Sequence, residues 1–252
     1  MTVSEMHELF RVLGQQMGMQ KVRGILPESI DVLLYASAVH CVRQIITSNV
    51  TTNFGNIVAI QKNKISVINA LRTLYVEKET NIDYDAGDIP DPVVVDAFYK
   101  DFSVFSIVDC AVGYTDESHT KYAFSRFVEP NLIDNTLNDY LLRPSAKYPI
   151  VTVTIADDNY KNETPGGFEN GSRIVYNIYT DGNKPTKLKT SFIKYPAKIH
   201  LAETSDDNVD CDLPVHLHNM VVEEAVNLYL QSVHITSSSN NNFQENNKNN
   251  RQ

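Results

Sequence analysis

Tryptophan does not occur in the 252 residues, and cysteine occurs only three times. Cys41, Cys110 and Cys211 are far apart, odd in number and without a C-x-x-C. That spacing argues against a disulfide framework and against a paired-cysteine zinc or redox motif. Reduced, inert thiols are expected, in keeping with synthesis in a reducing cytoplasm. No Lys/Arg block exceeds two residues and the net charge is −9, so tight sequence-independent DNA binding is not expected. No unbroken apolar run approaches the ~20 residues of a membrane span, and no basic stretch leads into an apolar one as in a secretion signal. The sequons at Asn49, Asn162 and Asn170 therefore read as chance matches. Walker A, dinucleotide-fingerprint, G-x-S-x-G and H-E-x-x-H patterns are all missing, which removes the specific reasons to propose an enzyme.

What is present is an ordinary globular composition, 42% hydrophobic and 21% charged, sufficient for a sizeable core. Val3, Met6, Leu9, Phe10, Leu13 and Met17 recur at helical spacing, with Ser4 as the expected N-cap. A second helix opens at Leu26-Pro27-Glu28, where proline suits the first turn. Ile30, Leu33, Leu34, Ala38, Cys41, Val42, Ile45 and Ile46 give it a broad apolar face. Residues 50–60 are ambiguous. A third helix is expected over 63–76, with Ile65, Ile68, Leu71, Leu74 and Tyr75 inward. Gly87, Pro90, Pro92 and four aspartates then break the chain into a surface loop or hinge.

From residue 92 the composition turns β-branched and aromatic, as strands prefer. Strands are expected at 93–95, 102–112, 122–128 and 148–155, with a helix over 130–142 ended by Arg143-Pro144. A polar loop fills 157–171. RIVYNIYT, Asp181-Gly182 and TKLKTSFIKY then read as a hairpin, with Ile174, Tyr176 and Ile178 on its buried face. A last helix runs from about Pro214 to Val233, with Met220, Val221, Ala225, Leu228 and Tyr229 inward. LPESIDVLLYASAV from Leu26 aligns without gaps with LPVHLHNMVVEEAV from Leu213, as expected of two similarly capped amphipathic helices; the sharper alternative is that the two pack side by side in one bundle. The Asn-rich stretch 236–252 buries too little to order alone.

Three clusters invite chemistry. Cys211, His216 and His218 are suitable metal ligands, but two histidines two apart at a helix start point in different directions. A solvated helix N-terminus is the simpler expectation. Asp206, Asp207, Asp210 and Asp212 lack the calcium-loop register and instead suit the positive end of a helix dipole; Asp83, Asp85, Asp88 and Asp91 invite the same answer. Thirteen tyrosines could line a glycan or peptide surface, or serve a sheet whose rings are half buried and whose hydroxyls are wet. No catalytic, metal or cofactor-binding residue is expected.

FVEPNLIDNTLNDYLLRPSAKYPI, IKYPAKIHL and CDLPVHLHNMVVEEAVNLYL, in this order, resemble head–tail connector (adaptor or ring) proteins of tailed bacteriophages. In IKYPAKIHL the tyrosine directly precedes the proline, a departure from that family's Tyr-x-(Arg/Lys)-x-Pro strand exit. The Asn-rich content further resembles ring proteins of crAss-like phages. The resemblance implies an α+β fold: a helical bundle formed by N- and C-terminal helices (1–78 and 213–235), with an inserted, mostly antiparallel β region (92–200) containing one helix near 130–142. It implies a single connector-like domain over 1–235 and a flexible tail over 236–252. By resemblance the protein is a non-enzymatic virion structural protein at the head–tail junction, without cofactor and without membrane, made in the bacterial host cytoplasm. It would form a ring of about a dozen copies contacting the portal and other connector or tail proteins. DNA would pass through its channel without specific binding. Candidate assembly contacts are Tyr195, Pro196, Leu213, Pro214, His218 and Phe243. The alternative is a glycan- or peptide-binding module with a tyrosine-rich β surface.

Overall fold

In the computed structural model, residues 1–17, 24–47, 50–54, 57–60, 64–83, 91–100, 103–116, 119–156, 171–202 and 204–232 are described. The chain is mixed α+β, with two mostly antiparallel sheets and five α-helices among these residues. It divides into two compact units, one from Met1–Ile45 with Pro196–Gln252, the other from Ile46–Tyr195. The tail 236–252, with Phe243, and residues 84–90 and 157–170 of the expected loops lie outside the described residues.

The first unit holds α1 (Val3–Gln16), α2 (Pro27–Thr47) and a last helix, α5, over 218–232. Thr2, not Ser4, caps α1: Glu5 N–H donates to Thr2 Oγ1 at 3.3 Å, and Glu5 Oε2 accepts from Thr2 N–H at 2.9 Å. This reciprocal box satisfies two donors at once, which a cap two residues later could not do with Glu5. Val3, Met6 and Phe10 are fully buried as the spacing predicts, whereas Met17 is half exposed. Among the described residues, α2 alone passes for a membrane span by length and composition, with mean hydropathy 1.2. Its Ile30, Leu34, Ala38, Cys41 and Val42 instead serve the core. On α5 the buried stripe is Val221, Val222, Ala225 and Val226, so the inward face is rotated away from the expected Met220. Phe10 meets Tyr229 edge to face at 6.3 Å, and His40 Nδ1 lies 3.0 Å from Glu224 Oε1, joining α5 to α1 and to α2.

The second unit is a two-layer sandwich. Its strands are β1 (Val50–Phe54), β2 (Ile57–Ile60), β3 (Tyr75–Asn81), β4 (Val93–Lys100), β5 (Val104–Asp116), β6 (His119–Phe124), β7 (Arg126–Phe127), β8 (Ile150–Ala156), β9 (Gly171–Tyr179) and β10 (Lys187–Lys194). One sheet runs β1-β2-β5-β10-β3 with β6 also on β5; the other runs β4-β9-β8-β7. The facing layers interdigitate. Val95, Tyr99, Val153, Ile174, Tyr176 and Ile178 of one meet Ile107, Cys110, Val112, Leu188 and Phe192 of the other. Tyr99 crosses the core: its hydroxyl lies 3.0 Å from that of Tyr176 and 2.9 Å from Thr190 Oγ1. Every buried hydroxyl in this trio thus has a partner, as a low-dielectric core requires.

Three expectations are overturned here. Residues 173–194 are not a hairpin. β9 pairs only with β4 and β8, while β10 pairs with β3 and β5 in the opposite sheet. The tight turn does form, with Asp181 at φ 56° and Gly182 at φ 78°, and Asn183 Nδ2 donates to Thr180 O. The residues after it then carry the chain from one layer to the other. The helix expected over 63–76 is also shorter. α3 covers Lys64–Ala70, Ile65 is exposed, and Tyr75 opens β3. Similarly, only Pro130–Leu132 (3-10) and α4 (Ile133–Asn138) are helical in the stretch 130–142.

Candidate functional site

The residues singled out from the sequence lie mostly inside the first unit. Leu213, Pro214 and His218 are buried, as is Pro196. His218 is not solvated at a helix start: its Nε2–H donates to Leu213 O at 2.7 Å, closing the turn that leads into α5. These side chains hold their own fold together and present no surface. Tyr195, in the second unit, is partly exposed; its ring packs edge to face on Phe105 at 4.7 Å, and its N–H donates to Ser103 O.

The acidic loop before α5 also works locally. Asp210 Oδ1 accepts from Val3 N–H at 2.7 Å, so it serves the N-terminus of α1. Asp212 Oδ1 accepts from Ala197 N–H, and Asp207 from Thr204 Oγ1. His216 is exposed while Cys211 and His218 are buried, and no group of three metal-ligating side chains occurs among the described residues. All three cysteines are free and buried, and burial pushes the Cys41 and Cys211 thiols up to about 11.

A buried titratable cluster is centred on Asp31 of α2. Its carboxyl oxygens accept from His7 Nε2 at 2.7 Å and from Leu201 N–H at 3.1 Å, and His200 Nδ1 stands at 3.1 Å. It therefore ties α1, α2 and the segment entering the acidic loop together. Burial pushes the His7 pKa below 6.5, against the pull of the Asp31 carboxyl. The neutral ring donates from Nε2, and Nδ1 is buried without a partner. The unfolded chain thus takes up the proton first. Stability from this group is complete above about pH 6.5 and is lost as the pH falls below that value. Chemical denaturation of the wild-type protein between pH 7.5 and 5 (about neutral to mildly acid) is expected to show falling stability, and His7→Gln is expected to flatten that slope. An unchanged slope in the variant would remove His7 as its source.

A groove of about 400 Å³ lies in the second unit, on the outer face of the six-stranded sheet. Alternation places it there: Lys189 and Ser191 of β10 line it, while Leu188 and Phe192 face the sandwich core. Tyr122 and Phe124 of β6 form one wall, Tyr75, Glu77 and Glu79 of β3 the other. Tyr122 reaches across two strands, donating from its hydroxyl to Glu79 Oε2 at 2.6 Å. It can do so because Gly113 lies beneath it; a Cβ there would stand 2.9 Å from the ring. Lys187 also donates to Glu79 and Lys189 pairs with Glu77, so both carboxyls are held below the usual range, first by the lysine and then by a tyrosine hydroxyl.

Tyrosine thus plays two parts that the sequence did not separate. Tyr99 and Tyr176 are internal, whereas Tyr75 and Tyr122 are wet and paired with glutamates. The groove strands carry a legible signal: Glu77-x-Glu79 and Lys187-x-Lys189 alternate with opposite sign, as partners across a sheet do. No protein-family model matches the chain, and no curated protein matches it in sequence.

Proposed function

We propose that this chain is a non-enzymatic virion structural protein: a ring-forming head–tail connector, or adaptor, subunit of a tailed bacteriophage, of the crAss-like ring-protein kind. Its ring of about a dozen copies would stack between portal and tail and continue the DNA channel at the head–tail junction. The observation that carries this reading is the division of the chain. Segments from its two ends form one compact unit, and the 46–195 region between them forms another. The order of parts supports the resemblance, a unit built from both chain ends with a β region between them in sequence, although residues 46–78, expected in the bundle, carry β1, β2 and the start of β3 and belong to the second unit. The net charge of −9 suits a passage that phosphate must not adhere to. Size-exclusion chromatography and negative-stain imaging, alone and with portal and tail proteins of a phage encoding it, test this. Rings are expected; strict monomers in every mixture would sink the reading.

A second reading, a glycan- or peptide-binding module, is favoured by the aromatic and charged lining of the sheet groove. It predicts saturable binding to a glycan or peptide array that Phe124→Ala abolishes, with no assembly.

A further inference from the structure

We infer that the projecting segment Tyr140–Leu142 of one copy seats in the sheet groove of a second copy. The inference rests on the ring reading and names the lateral contact within it. Three successive large apolar residues stand in solvent there: Tyr140 is 82% exposed, Leu141 85% and Leu142 41%. Neither α4 nor the 3-10 turn before it buries a single residue. A contiguous exposed apolar group of this kind marks an interaction surface.

The segment is nevertheless built into a defined shape. Asp139 Oδ1 accepts from Leu141 N–H at 2.9 Å, and Asp139 O accepts from Leu142 N–H at 3.1 Å. Arg126 donates to Leu142 O from the adjoining strand β7, and the Arg143 guanidinium lies over the Tyr140 ring at 5.9 Å. Holding the projection in place before contact lowers the entropy lost on docking.

The groove fits it in size and charge. A space of about 400 Å³ takes two or three apolar side chains. Phe124, 71% exposed, offers them an aromatic wall. The groove's three carboxyls, Glu77, Glu79 and Asp109, outnumber the two ammoniums paired to them, Lys189 on Glu77 and Lys187 on Glu79. Arg143 and Lys147 flank the projection with the opposite sign.

Within one subunit the two surfaces stay apart, since Tyr140 and Leu141 remain 82% and 85% exposed. The projection leaves the edge strand β7 of the four-stranded sheet and returns to β8, whereas the groove lies on the outer face of the other sheet. A surface that fits a different surface on an identical copy makes a head-to-tail contact, which closes into a ring or runs on as a filament.

The test uses the full chain and two substitutions at exposed positions, Leu141→Glu and Phe124→Glu, each checked for native far-UV circular dichroism. By light scattering over a concentration series, each variant alone is expected to self-associate at least about tenfold more weakly than wild type. Mixed together, they are expected to give a dimer and nothing larger, because Phe124→Glu keeps its projection and Leu141→Glu keeps its groove. Wild-type association that both folded variants retain overturns the inference while leaving the ring reading standing. A wild-type chain that does not self-associate overturns the inference, and the ring reading falls with it only where the chain also stays monomeric alongside portal and tail proteins. Knob-dependent association without rings alongside portal and tail proteins supports the contact and counts against the connector.

Discussion

Phe192→Ala is expected to lower the free energy of unfolding by about 3–5 kcal/mol, the range seen when a fully buried aromatic is truncated and leaves a cavity. Phe192 is wholly buried, on a strand flanked on both sides by β3 and β5, with its ring 4.8 Å from that of Tyr99. Its neighbours across the core come from the other layer, so they cannot close over the gap without shifting a sheet. Tyr99 would also lose the surface that steadies it between Tyr176 and Thr190. Set against a domain stability of ~5–15 kcal/mol, such a loss approaches unfolding. Urea denaturation followed by circular dichroism measures it, tryptophan fluorescence being ruled out by composition. A loss under about 1 kcal/mol would mean that the two layers repack freely, contrary to the close fit of their side chains.

Asp31→Ala is the second large effect, expected at about 3–5 kcal/mol in the helical unit. The alanine leaves Leu201 N–H and His7 Nε2–H without an acceptor in a buried setting, and each orphaned donor costs about 1–3 kcal/mol. Asp31→Asn is expected to cost less, since its one carbonyl oxygen still accepts while its amide group opposes the second donor. Near-UV circular dichroism and hydrogen exchange over α1 and α2 read the difference. Equal losses for alanine and asparagine would show that the acceptor asparagine retains contributes little.

What the sequence disclosed depended on how far apart the interacting residues lie. The apolar stripe of α2 and the alternation of Ile174, Tyr176 and Ile178 are buried as their periods predict, because burial of one face is written within the element. The Asp181-Gly182 dipeptide forms its turn, but a turn signal specifies local φ angles and says nothing of which strands will pair. Ile65, Ile68, Leu71, Leu74 and Tyr75 match a helix in spacing, yet β3 begins at Tyr75 because β10 supplies it with a partner from a hundred or so residues further on. His218 illustrates the same limit on a smaller scale. Its type suggested a wet helix start, and only the fold of Leu213-Pro214 reveals the carbonyl it serves. The groove was hidden for a further reason: its walls come from β3, β6 and β10, which no window of sequence brings together.

The passage of the chain from β9 in one layer to β10 in the other has a consequence for the order of events during synthesis. Lys187 meets Glu79 across 108 positions, and Arg173 meets Asp96 across 77. Pairings this distant must be closed against loop entropy before they return any stability, which places such a domain among slow folders, on the scale of milliseconds to seconds. As the ribosome moves along the message, β3 and β5 emerge with the edges meant for β10 still open, and they stay open until the strand that fills the gap has been made. During that interval the nascent chain carries its greatest risk of pairing with the wrong neighbour.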